Sequence, residues 1–226
     1  MVENKSESEP FSLKETLNSR WDNLCQKIDI PTDNKTFNTL TSYYSEPHRH
    51  YHTLNHINNC FQEFDEVKTL LQDPNTVELA IWFHDAIYNI GQKDNEEKSS
   101  QLAINFCQKN NLSSIFTNKV SNLISSTKHI SPSNELGSQY LNDIDMAILG
   151  QTTNKFNLFD QNIKKEFTSF YPIDIYLKGR ILFFDSLLKK KEIFSTDYFK
   201  NKYEIKTKQN IEKKETELKQ QLLTLI

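Results

Sequence analysis

Apolar residues recur along this chain at intervals of three and four, and no stretch of strict apolar and polar alternation bounded by hairpin turns interrupts them, so the pattern predicts an all-α fold. Ser12 followed by Glu15 reads as a capping box opening a helix to about Ile28, before the Ile30-Pro31 break. A short helix over Lys35 to Tyr44 follows. After Pro47, residues Leu54, Ile57, Phe61 and Phe64 mark one face of a helix reaching about Leu71. Pro74 suits the first turn of a helix from about Asn75 to Tyr88, whose LAIWFHDAIY stretch is apolar almost all round and hence buried. Further helices are expected over Asn95 to Gln108 behind an Asp94/Glu97 capping box, over Ser114 to Lys128, and over Ser138 to Leu149 with Gly150 as the stop. An aromatic, charged stretch then runs to Phe170. Beyond Pro172 come an apolar helix around Ile175 to Leu188 and a charged helix from about Asn201. The organisation expected is a single all-α domain with its core at about 43–150 and a C-terminal helical extension over about 151–226.

Composition narrows the partners. With 226 residues, 36% of them apolar, and a formal charge of -3, the chain has length enough for a core. Lys+Arg 27 against Asp+Glu 30 gives no basic excess, so no stable nucleic-acid partner is expected. The run Lys189 to Lys191 reads as solvation at a helix end. No apolar run approaches the roughly 20 residues of a membrane span, the first 25 residues lack a secretory apolar stretch, and Cys25, Cys60 and Cys107 lie far apart, which together point to a cytoplasmic protein. Only four isolated glycines occur, which excludes glycine-rich phosphate loops.

All six histidines fall between His48 and His129, four of them in the nine residues His48 to His56. His52 and His56 are four apart and on a helix would share a face. His84-Asp85 lies in the most apolar helix, where a carboxylate needs a cation or donors, supplied by a metal or by an ion pair with Arg or Lys. In Asp143-Ile144-Asp145, residues Leu141, Ile144, Asp145 and Ile148 share one helix side and Asp143 points nearly opposite. Asp145 is therefore the carboxylate expected to be buried and to act as a ligand, and Asp143 is expected to support a ligand or lie at the surface. Imidazole nitrogens with carboxylate oxygens suit zinc, manganese, iron or magnesium.

The order His, His-Asp, Asp on helices resembles the HD superfamily of metal-dependent phosphohydrolases, and YHTLNHI is similar to the YHNxxH segment of the related cyclic nucleotide phosphodiesterases. The combination EPHRHYHTLNHI, FHDAIYN, DNEEKSS, TKH, DIDMAILG and GRILFFDSLL looks like a bacterial-type family of predicted HD phosphohydrolases, over roughly Tyr43 to Asn210. The resemblance implies an HD-type helical bundle. It implies that His56, His84, Asp85 and Asp145 hold one divalent metal ion and that His52 is the general acid. Some HD proteins bind a second metal through a histidine where this chain has Asn95-Glu96 and another near His129.

Hydrolysis of a phosphorylated small molecule, of the nucleotide kind, is the activity implied. A metal lowers the pKa of water, Asp85 orients it, and His52 protonates the leaving oxygen, its unperturbed pKa of about 6.5 lying near working pH. Glu96 is a candidate to hydrogen-bond metal water or a ligand histidine. Arg49, Lys128 and Arg180 are candidates for the phosphate charge, and His129 for a substrate contact or a second metal. Two alternatives stand beside this: an HD-type diiron oxygenase, as in myo-inositol oxygenase, and a nucleotide-binding or regulatory module without chemistry. The charged terminal helix offers a face for a homo-oligomer.

Overall fold

The chain winds around the helix whose residues are apolar on every side. In the computed structural model, which describes residues 12–128 and 133–225, this is α4, Pro74–Phe83, and every residue from Thr76 to Phe83 is buried. It follows α1 (Leu13–Lys27), α2 (Asn34–Tyr43) and α3 (Leu54–Val67), and precedes α5 (Asn95–Lys109), α6 (Ser114–Ser126), α7 (Leu136–Met146), α8 (Thr153–Thr168), α9 (Ile173–Leu188) and α10 (Asp197–Leu223). The fold is all-α, and no strand occurs among the described residues. Helices α1, α3, α5, α6 and α7 all touch α4. Its Trp82 ring meets Trp21 edge-on at 5.4 Å and lies 4.9 Å from Phe61 and 6.0 Å from Phe37, an aromatic cluster that ties the N-terminal helices to it. Among the described residues, no helix is long and apolar enough to cross a membrane.

Local signals set several helix ends as expected. Ser12 and Glu15 form the reciprocal capping box, and Pro74 occupies the first turn of α4. Asp94, by contrast, makes no capping bond, and Glu97 pairs with Lys128 instead. Two further departures matter for function. Helix α3 starts at Leu54, so His52 lies in the turn before it and does not share a helix face with His56. Helix α4 ends at Phe83, five residues before Tyr88. Long-range polar groups claim the backbone at both places. Arg49 donates to the carbonyls of Asp85 (2.6 Å) and Ala86 (2.8 Å), and Ser99 Oγ accepts the Ile87 N–H at 3.0 Å, which peels the chain out of the helix.

The C-terminal helices close the other side. Helix α10 packs along α9 and against a 3-10 turn, Ala147–Gly150, that extends α7. Asp143, expected at the surface or behind a ligand, is the more buried of the two aspartates on α7. It accepts hydrogen bonds from Ser195 N (2.9 Å), Thr196 N (2.7 Å) and Thr196 Oγ1 (2.8 Å), and so anchors the start of α10. Helix periodicity placed Asp143 away from the α7 core face correctly but could not reveal that another helix covers that side. Gly150 likewise is not a left-handed stop. A Cβ there would meet Tyr203 Cβ at 2.5 Å and Thr207 Oγ1 at 2.8 Å, so glycine permits the close approach of α10. Gly150→Ala should cost about 1–3 kcal/mol through overpacking. Asp143→Ala should cost about 1–3 kcal/mol by stranding buried donors. Urea unfolding measures both, and neither substitution should alter bound metal.

Candidate metal centre

Three elements bring the histidines and aspartates to one point. Helix α3 carries His56 and, one turn on, Cys60; the end of α4 carries His84 and Asp85; the last turn of α7 carries Asp145. His56 Nε2 lies 3.2 Å from His84 Nε2, 3.4 Å from Asp85 Oδ2 and 3.3 Å from Asp145 Oδ1. His84 Nε2 lies 3.1 Å from Asp85 Oδ2 and 3.7 Å from Asp145 Oδ1. Because the chain leaves the helix after Phe83, the adjacent His84 and Asp85 side chains reach the same point. Ligand atoms of His56, Cys60, His84 and Asp145 all lie within 4.8 Å of one another, so this group, buried except for Asp145, which is half-buried and not buried as expected, could hold a metal ion.

The donor set fits a divalent cation on both distance and charge. Donors about 2.0–2.1 Å from a tetrahedral ion stand about 3.3–3.4 Å apart, the middle of the separations found here. His84 Nδ1 donates to Ile81 O at 3.0 Å, which leaves Nε2 as a lone-pair donor aimed at its neighbours. Burial by itself lowers the basicity of His56, but Cys60, Tyr51 and the Asp145 and Asp85 carboxylates reverse this and hold it well above the ordinary histidine value. At His84 burial is likewise outweighed, by Asp85 and Asp145. Burial would raise Asp85, and His84 and His56 hold it well below the carboxylate range. The two imidazoles, facing these carboxylates, are favoured in their protonated form, and a divalent ion there would displace those protons.

His52 stands beside this set in a different role. Its ring centre is 5.8 Å from that of His56, and it stacks on Tyr88 at 3.9 Å. Its Nδ1 donates to Glu166 Oε2 at 2.7 Å, while Glu166 Oε1 accepts the backbone N–H groups of His50 (2.7 Å), Tyr51 (2.7 Å) and His52 (3.0 Å). Burial would raise the Glu166 carboxyl, yet the hydrogen bond and charge of His52 and the amides outweigh it and hold the group at about 2. Sequence reasoning missed Glu166, although its signal was present. Phe156, Phe159, Ile163 and Glu166 form one buried stripe of α8, and a carboxylate on an apolar stripe is the feature that had singled out Asp145.

The expected cations lie elsewhere than in contact with an open site. Arg49 is buried, its guanidinium committed to Glu46 (2.9 Å) and to the carbonyls of Asp85 and Ala86, so it positions the His-Asp turn. Lys128 is paired with Glu97, and Arg180 with Asp160 (3.1 Å) among Phe159 and Phe184. Glu96 is half-buried in the first turn of α5, and Asn95 brackets the N–H and C=O of Asn89 at 3.0 Å each. His129 lies outside the described residues. A cavity of about 330 Å³ opens on His56, Cys60 and Asp145 between α3, α7 and α8, walled by Tyr51 and Phe159 and by the carboxamides of Asn55, Asn59 and Asn162. Lys155 is the one lysine or arginine among its described lining residues, and it too was missed, having no motif around it.

Comparison with family models, with curated proteins and with solved structures found no match to this chain. The site is therefore read from its own chemistry. Glu166 sits at about 2 against an ordinary 4.5, so it contributes stability above pH 4.5 that is lost as pH falls towards 2. Over that window the wild type should lose about 3 kcal/mol more than Glu166→Gln, measured by urea unfolding at stepped pH.

Proposed function

We propose that this chain is a metal-dependent phosphohydrolase of the HD type, cleaving a phosphate ester of a nucleotide or related small molecule. The observation that carries the reading is the pairing of two sites: a convergent set of His56, His84, Asp85 and Asp145, and beside it an imidazole, His52, backed by a fully buried carboxylate. When bound, a divalent ion supplies Lewis acidity and a lowered water pKa. His52, with Nδ1 held by Glu166, keeps Nε2 for the leaving oxygen. Arg49 keeps the Asp85 backbone in place. Lys155, at the cavity wall, is the side chain available to a phosphoryl or other anionic group of the substrate.

Elemental analysis of protein purified without a metal-affinity tag, followed by phosphate release from a panel of nucleotides and sugar phosphates, tests the reading. About one zinc, manganese, magnesium or iron per chain together with phosphate release is the expected outcome. Two irons without phosphate release would move the reading to the oxygenase, and absence of metal would leave a binding module. His84→Ala and Asp145→Asn should abolish metal binding. His52→Ala and Glu166→Gln should retain metal while lowering kcat by about 10²–10⁴-fold, as loss of a general acid does. Full activity in His52→Ala would place the acid elsewhere.

A further inference from the structure

We propose that Cys60 is a ligand of this centre, and that its sulfur makes the site prefer zinc over magnesium and manganese. The proposal rests on the metal-centre reading above and adds a donor that the HD resemblance does not contain, since that resemblance assigns only His56, His84, Asp85 and Asp145.

Helix geometry places Cys60 one turn from His56 on α3, so both side chains leave the helix on the same face. Cys60 Sγ lies 3.7 Å from His56 Nε2 and 3.8 Å from His56 Nδ1, and it belongs with His56, His84 and Asp145 to a set whose ligand atoms all lie within 4.8 Å of one another. The thiol is buried and also lines the floor of the cavity together with His56 and Asp145. Cys25 and Cys107 are buried and free as well, but neither belongs to the converging group. Burial pushes the Cys25 thiol up, and pushes Cys107 up to about 11, as expected of inert thiols in apolar packing.

The consequence is selectivity. A site of imidazoles, carboxylates and water accepts magnesium and manganese readily, whereas a thiolate is a soft donor that these hard ions use poorly and zinc uses well. Binding at Cys60 exchanges the sulfur–hydrogen bond for a sulfur–metal bond and releases the proton to solvent. The hard carboxylates Asp85 and Asp145 remain on the other side of the same point.

Cobalt(II), a spectroscopic stand-in for zinc, tests this on the full-length protein. The wild type loaded with cobalt should show visible ligand-field bands and an intense near-ultraviolet sulfur-to-cobalt band. Cys60→Ser should keep the visible bands and lose the near-ultraviolet one, while Cys107→Ser keeps both. Competition between zinc and manganese should show the zinc preference reduced by about tenfold or more in Cys60→Ser. Visible bands without the sulfur band in the wild type would overturn the ligand role of Cys60 and leave the metal centre standing. No cobalt bound at all would overturn the metal-centre reading itself. The wild-type spectrum decides the ligand question even if Cys60→Ser fails to fold.

Discussion

The carboxylate of Glu166 gathers three successive backbone N–H groups and the ring of His52, and the local form of the chain around the site depends on it. A run of amides pointed at one oxygen cannot at the same time extend α3 backwards, so the turn at residues 50–52 exists because α8 brings an anion to it. Arg49, in the same turn, does the reverse and gathers carbonyls, those of His52, Asp85 and Ala86. One buried anion and one buried cation thus hold two stretches of non-helical backbone against each other, each satisfying groups that burial would otherwise leave costly.

These two stretches carry residues of the candidate site. His52 belongs to the first, and His84-Asp85 opens the second at the end of α4. The helices supply what they supply best, fixed positions for His56 and Asp145, and the turns supply what a helix cannot, two neighbouring side chains reaching the same point. The aromatic packing of Trp82, Trp21 and Phe61 lies directly beneath, so the end of α4 is held by core residues within one turn of His84.

Periodicity was sufficient for the all-α fold and for the order of the helices, because apolar faces repeat regularly and Pro74, Ser12 and Glu15 mark ends by local chemistry. The choice of Asp145 over Asp143 for the converging set also followed from helix phase. What periodicity could not reach were ends decided by partners far along the chain: the early close of α4 under Arg49 and Ser99, and the late start of α3 under Glu166. The same limit explains Asp143, whose burial is created by α10, and Arg49, whose charge reads as a phosphate contact until its carbonyl partners are known. Glu166 and Cys60 were legible by rules already in use, a carboxylate on a buried stripe and a sulfur one helical turn from His56.

The residues that converge around His56 are complete once the chain has reached Asp145, but the carboxylate that orients His52 stands 114 residues after it, in α8. During synthesis the cluster that could hold a metal can therefore assemble before His52 is held in place. A nascent chain in that interval has a group that could hold an ion and no oriented His52 beside it. Order of emergence alone leaves His52 without its carboxylate partner until the C-terminal helices have folded back onto the turn.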